Sequence, residues 1–66
     1  MNPAKDVIAD LHGIAITAFL KASGGQATIH ARDIGIGLGD YLTAVKRLQM
    51  RGVIERVGDC EWRMAA

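Results

Sequence analysis

Apolar residues in the first third of the chain follow the three- and four-residue spacing of an amphipathic helix. The positions that form this stripe are Ile8, Leu11, Ala15, Ala18, Phe19 and Ala22. Ile14 and Ile16 lie beside the stripe and make the apolar face wider than one neighbouring element would cover. Asn2 and Pro3 suit the start of this helix, because asparagine caps free N–H groups and proline is tolerated at the first helical position. We therefore expect a first helix that ends at the glycine pair 24–25.

The next segment predicts a short strand followed by a brief second helix. Residues 26–29 form an extended link, which we interpret as an edge strand, and the helix runs from residue 30 or 31 to residue 37 or 38. Gly35 and Gly37 fall inside this helix, and each costs about 0.8–1 kcal/mol relative to alanine. Such a helix persists only when tertiary packing holds it.

A third helix and a β-hairpin complete the pattern. Gly39 is expected to make a left-handed turn, and Asp40 to cap a third helix over Tyr41–Arg51 that Gly52 closes. Residues 53–57 and 60–64 are strand-like runs, and Gly58-Asp59 between them predicts a tight turn. The order is helix, strand, helix, helix, hairpin, in a single α+β, mostly helical domain that occupies residues 1–66.

Composition narrows the classes of protein that fit this order. Half of the residues are hydrophobic but only three are aromatic, so the core must be mainly aliphatic. Cys60 is the only cysteine, which excludes an intramolecular disulfide and a thiolate zinc site, and a free thiol fits a cytoplasmic location. The longest apolar-leaning run, Leu11–Leu20, is about half of the roughly 20 residues that cross a bilayer. We therefore expect no membrane association.

The charge of the chain is small but unevenly distributed. Its formal net charge is +1. Four basic residues follow Asp40 and are opposed only by Glu55 before Asp59; they are Lys46, Arg47, Arg51 and Arg56. Basic and acidic side chains balance in the first 39 residues. The positive charge is thus confined to the second half, where a nucleic-acid contact would lie.

The segment Ala31–Gln49 resembles the helix-turn-helix pattern. Small Gly35 would let two helices approach, Gly39 would make the turn, and four apolar residues would face the core; these are Ile34, Leu38, Val45 and Leu48. Together with Arg51–Met64, the chain resembles the winged helix-turn-helix DNA-binding domains of small bacterial or phage transcriptional regulators. The resemblance implies that the third helix enters the major groove of double-stranded DNA and that the 53–64 hairpin, the wing, touches the flanking backbone or minor groove.

The residues expected to contact DNA are those on the side of the third helix that does not pack in the core. If Val45 and Leu48 point inward, the rest of the third helix faces out, and arginines at its end and in the hairpin can reach phosphates. The predicted DNA-binding residues are Tyr41, Leu42, Thr43, Lys46, Arg47, Arg51, Arg56 and Arg63. Thr43, Lys46 and Arg47 would read base edges. The ending around Trp62 resembles that of Z-DNA-binding winged helix domains. However, Leu42 and Lys46 occupy the positions where those domains need asparagine and tyrosine, so we expect Trp62 to anchor the hairpin instead.

Other interpretations of the same residues compete with DNA binding. A basic face can be merely solvated, and a winged helix can serve as a protein-interaction module, which the acidic residues Asp59 and Glu61 favour. His12 and His30 lack the ligand spacing of a metal site, and no catalytic constellation is present, so neither an enzyme nor a cofactor is predicted. The surplus apolar face of the first helix predicts a homodimer.

Overall fold

The protein folds into three helices and a small antiparallel sheet. The computed structural model describes residues 3–65. Its elements are α1 (Pro3–Ala22), β1 (Gln26–Thr28), α2 (Ala31–Ile34), α3 (Leu38–Met50), β2 (Ile54–Gly58) and β3 (Glu61–Met64). The expected α+β class and order of elements are confirmed. The predicted cap Asn2 lies outside the described residues.

The sheet places β3 between the two other strands. The strand order is β1-β3-β2 with antiparallel pairing throughout, so β1 is an edge strand as expected. Trp62 faces Ala27 on one side and Arg56 on the other. The hairpin turn is formed by Asp59 and Cys60 rather than by Gly58-Asp59, because Gly58 still pairs with β3. Cys60 takes the left-handed backbone conformation at φ 56°.

The core lies where α1 and α3 pack against one face of the sheet. Nine buried residues form it: Ile16, Leu20, Ile29, Tyr41, Ala44, Val45, Leu48, Ile54 and Trp62. Val45 and Leu48 face inward as predicted, and Ile34 packs against the edge of the cluster. Leu38 does not, since it is 65% exposed at the start of α3. The core is largely aliphatic, in keeping with the composition.

The predicted apolar stripe of α1 is wrong except at Phe19, which packs against the core. Ile8 and Leu11 are about half exposed, whereas Ile16, expected on the surplus face, is fully buried. The stripe that packs inward is instead Ala9, Gly13, Ile16 and Leu20. Gly13 suits this face, because a Cβ atom there would lie 3.3 Å from Leu48 Cδ2, which is closer than most Cβ contacts. α1 is apolar on most of its circumference, so periodicity alone could not select the face.

Glycines end the helices, but not all where the sequence suggested. Gly24 and Gly25 close α1 with positive φ, and the Gly25 N–H donates to the Leu20 carbonyl at 2.7 Å, which confirms that prediction. Gly52 closes α3 at φ 72°, also as predicted. α2 is shorter than expected because Gly35, at φ 81°, is its left-handed C-cap.

Gly35, Gly39 and Asp40 have other roles than those predicted. No atom lies within 4 Å of a Cβ built on Gly35, so this glycine serves a turn and not a close helix contact. Gly39 lies inside α3, which begins after Gly37 as N-cap. Asp40 therefore lies in the first turn of α3 and does not cap this helix. Its negative charge there interacts favourably with the helix dipole.

Candidate nucleic-acid interface

Tyr41, predicted to contact DNA, lies in the core instead. Only 3% of its surface is exposed. Its hydroxyl donates to the Ile29 carbonyl oxygen at 2.7 Å and accepts from the Trp62 indole N–H at 2.8 Å. Burial raises the pKa of Tyr41, so the hydroxyl keeps the proton that it donates. These two bonds join α3 to the residue after β1 and to β3, and Trp62 anchors the hairpin on α3 as predicted.

A groove between α3 and the hairpin is the surface that these contacts create. Leu42, Lys46 and Gln49 line it from the exposed side of α3, and Arg56 lines it from β2. Arg56 is on this side because it is the cross-strand partner of Trp62, and paired residues share one face of a sheet. The floor consists of Tyr41, Val45, Cys60 and Trp62. We call this surface the α3–hairpin groove.

No carboxylate lines the α3–hairpin groove in the described part of the chain. Lys46 has no ion-pair partner among residues 6–65. Arg56 contacts Asp59 at 3.0 Å, but the carboxylate of Asp59 is fully exposed and the Arg56 side chain is 58% exposed. Exposed pairs of this kind contribute at most about 1 kcal/mol. The groove therefore presents two cations that an anionic ligand can reach.

Arg47 and Arg51, two further predicted contacts, point away from this groove towards α1. Arg47 reaches Asp10 at 3.0 Å and Asp6 at 3.5 Å, and Arg51 reaches Asp10 at 3.3 Å. The Arg47 Nε atom is buried without a partner within the described residues. These contacts tie α3 to α1. The prediction that Arg47 shares one outward face with Lys46 is therefore wrong.

Thr43 and Arg63 also lie apart from the groove. Thr43 is exposed on α3 and its hydroxyl donates to the Gly39 carbonyl at 3.0 Å. Arg63 follows the inward-facing Trp62, so it projects from the opposite face of the sheet, where its Nε contacts Glu55 at 2.7 Å. Of the eight predicted residues, the structure brings Leu42, Lys46 and Arg56 together at the rim of the groove, with the buried Tyr41 in its floor.

Gln49 is an exposed groove residue of α3 that the sequence prediction missed. It lies seven residues after Leu42, which is two helical turns, and therefore on the same side of α3. That spacing was a sufficient signal. Cys60 was missed as a groove residue because its position depends on the hairpin turn, which was predicted one residue too early.

Comparison of the chain with protein-family models, curated proteins and solved structures gave no match. In residues 3–65, no helix is long and apolar enough to cross a membrane. Over the same part of the chain, no three His, Cys, Asp or Glu side chains cluster as metal ligands would.

Proposed function

We propose that this protein binds double-stranded DNA in a sequence-specific manner as a winged helix-turn-helix domain. In this proposal α3 enters the major groove and the β2–β3 hairpin acts as the wing. The element order and the strand order β1-β3-β2 support it, since they set one exposed helix beside one hairpin. The observation that carries the proposal is the α3–hairpin groove, where Lys46 and Arg56 converge without a carboxylate in the lining.

Each groove residue has a chemistry that suits a part of the duplex. A lysine ammonium such as Lys46 donates to guanine O6 and N7, and a glutamine such as Gln49 pairs with adenine N6 and N7. Leu42, 54% exposed, offers an apolar contact for the methyl group of thymine. Arg56, on the hairpin, suits a phosphate contact. Recognition would thus come from α3 and affinity from the wing.

The proposal extends to a non-catalytic role as a small transcriptional regulator in the cytoplasm. A module of this kind acts by occupying a DNA site, which requires recognition and no reacting group. Arg47 and Arg51 then serve to hold α3 on α1, because Asp10 already accepts from both. Their contribution to DNA binding would be the smaller one.

Two hairpin arginines provide a matched test. Arg56 and Arg63 are 58% and 55% exposed, each is in one exposed ion pair, and they lie on opposite faces of the sheet. Arg56→Ala should weaken binding to every duplex and flatten the dependence of log affinity on log salt by about one unit. Arg63→Ala changes the net charge equally and should leave affinity within about twofold. Equal losses in both variants, measured by fluorescence anisotropy on duplexes, would show a diffuse charge effect and overturn the assignment of the groove.

A protein-interaction module is the second candidate. Exposed apolar residues lie at both ends of α3, with Leu38 65% and Met50 79% exposed, and such residues are typical of protein-binding surfaces. Salt separates the two functions. Phosphate contacts give a steep salt dependence, whereas an apolar protein contact gives little.

A further inference from the structure

The outer face of α1 carries an apolar stripe that no part of the described chain covers. Val7, Leu11 and Ile14 are 57%, 59% and 65% exposed, and Ala18 continues the line as an exposed residue. Their spacing of four, three and four residues is the a/d repeat of a coiled-coil seam. The opposite face of α1 is the one that packs in the core. The stripe is therefore a second surface, distinct from the α3–hairpin groove, to which α1 contributes no residue.

We propose that a second copy of this chain covers this stripe, with the two α1 helices antiparallel. The side-chain sizes favour that direction. An antiparallel seam places Val7 against the partner's Ala18 and Leu11 against the partner's Ile14, so its smallest layer still contains a valine. A parallel seam would place Ala18 against the partner's Ala18 and leave a thin contact at one end.

The charges at the two ends of α1 agree with the antiparallel direction. α1 has an acidic residue, Asp6, in its first turn and a basic residue, Lys21, in its last. The antiparallel arrangement brings Lys21 near the partner's Asp6, whose side chain is 42% exposed beside Arg47. In the parallel arrangement Lys21, which continues the seam after Ala18, would meet the partner's Lys21. An antiparallel arrangement also places the positive end of each helix dipole beside the negative end of the partner's dipole, which is favourable.

The area available sets the strength of this dimer. Four aliphatic side chains at about half exposure, Ile8 included, and their small neighbours offer roughly 400–500 Å² per copy. The total of roughly 800–1,000 Å² is at the lower end for a specific interface, so the dissociation constant should be micromolar or weaker. The two copies would be related by a two-fold axis. The dimer does not require the proposed DNA binding, although it would suit a palindromic site.

A pair of equally exposed residues tests the surface. Ile14 and Leu38 are each 65% exposed, but only Ile14 lies in the stripe. In sedimentation velocity from about 1 µM to about 1 mM protein, the parent chain should shift from monomer to dimer. Ile14→Glu should raise the dissociation constant about 100-fold or more, because it buries a charge in the seam, and Leu38→Glu should change it less than about threefold. A parent chain that stays monomeric throughout the series, or equal effects of both variants, would overturn the proposal.

Cross-linking tests the direction of the helices. In a Cys60→Ser background, an equimolar mixture of Val7→Cys and Ala18→Cys chains should form a disulfide-linked dimer that joins one chain of each kind. Val7→Cys alone should not, because its two cysteines would lie about 16 Å apart along the seam, beyond the reach of a disulfide. A disulfide dimer from Val7→Cys alone would show parallel helices and refute the antiparallel arrangement. This proposal and the one for DNA fail separately. A variant that loses duplex binding but still forms the dimer affects only DNA binding, and a variant that loses the dimer but still binds duplex affects only dimer formation.

Discussion

The hydroxyl group of Tyr41 is expected to make a large contribution to the stability of this domain. Tyr41→Phe removes one oxygen atom and leaves two buried groups without a partner, the Ile29 carbonyl and the Trp62 indole N–H. Each unpartnered buried group costs about 1–3 kcal/mol, so the variant should lose about 2–6 kcal/mol. The free energy of unfolding of a domain of this size is about 3–10 kcal/mol in total. The melting temperature should therefore fall by about 8 °C or more.

Thermal denaturation followed by circular dichroism measures this effect, with Thr17→Val as the control. The Thr17 hydroxyl also donates to a carbonyl, that of Gly13 at 2.8 Å, but the bond lies within α1 and its acceptor keeps its helical partner. Thr17→Val should change stability by no more than about 0.5 kcal/mol. If Tyr41→Phe melted within about 3 °C of the parent chain, the two hydrogen bonds would not be what joins α3 to the hairpin.

Three further outcomes follow from the same structure. Stability should fall as the pH rises above 10. Burial raises the pKa of Tyr41 in the folded chain, so above pH 10 the unfolded chain releases the Tyr41 proton while the folded chain keeps it. Urea titrations at pH 9 and pH 11 should show this loss of stability in the parent chain and not in Tyr41→Phe. In urea denaturation, Gly35→Ala and Gly35→Leu should each lower the free energy of unfolding by about 1–2 kcal/mol, because the left-handed backbone at this position, and not the space around it, is limiting. A Leu variant far less stable than the Ala variant would show that Gly35 has a packing role. Gly39→Ala, inside α3, should raise the free energy of unfolding by about 0.4–1 kcal/mol. Asp10→Asn should lower stability by less than about 1 kcal/mol, because the ion pairs that it removes are partly exposed. Since Arg47 and Arg51 point away from the α3–hairpin groove, the variant should tighten duplex binding only slightly, through its added positive charge; a large gain in affinity at low salt would instead show that these arginines reach DNA.

Local signals in the sequence predicted the elements well. Helix ends at Gly24-Gly25 and Gly52 could be read directly, because each needs a positive φ that glycine supplies without strain. The strand-like runs on either side of Gly58-Asp59 identified the hairpin. These features depend on a few neighbouring residues and therefore survive without knowledge of the tertiary fold.

The composition of the candidate site depended on distant contacts and could not be read in this way. Tyr41 has a polar tip that suits an exposed position, and its burial follows from a bond to Trp62, 21 residues away. Arg47 turns towards α1 because of carboxylates 37 and 41 residues distant. The inward face of α1 contains Gly13, whose missing side chain gives Leu48 of α3 room to pack closely. Helical periodicity ranks faces by apolarity, and it does not register where a small residue permits close approach.

The most direct test of the proposed function is an NMR titration of the labelled chain with a DNA duplex at two salt concentrations. DNA binding through the α3–hairpin groove predicts that signals of Leu42, Lys46, Gln49 and Arg56 shift with added duplex. The signals of Val7 and Ile14 on α1 should not shift with added duplex, except for any shift that also accompanies dimer formation in the absence of DNA. Affinity should fall steeply between about 50 and 200 mM salt, as counterion release requires. Signals that do not respond to duplex at the lower salt concentration, or shifts confined to α1, would contradict the proposal.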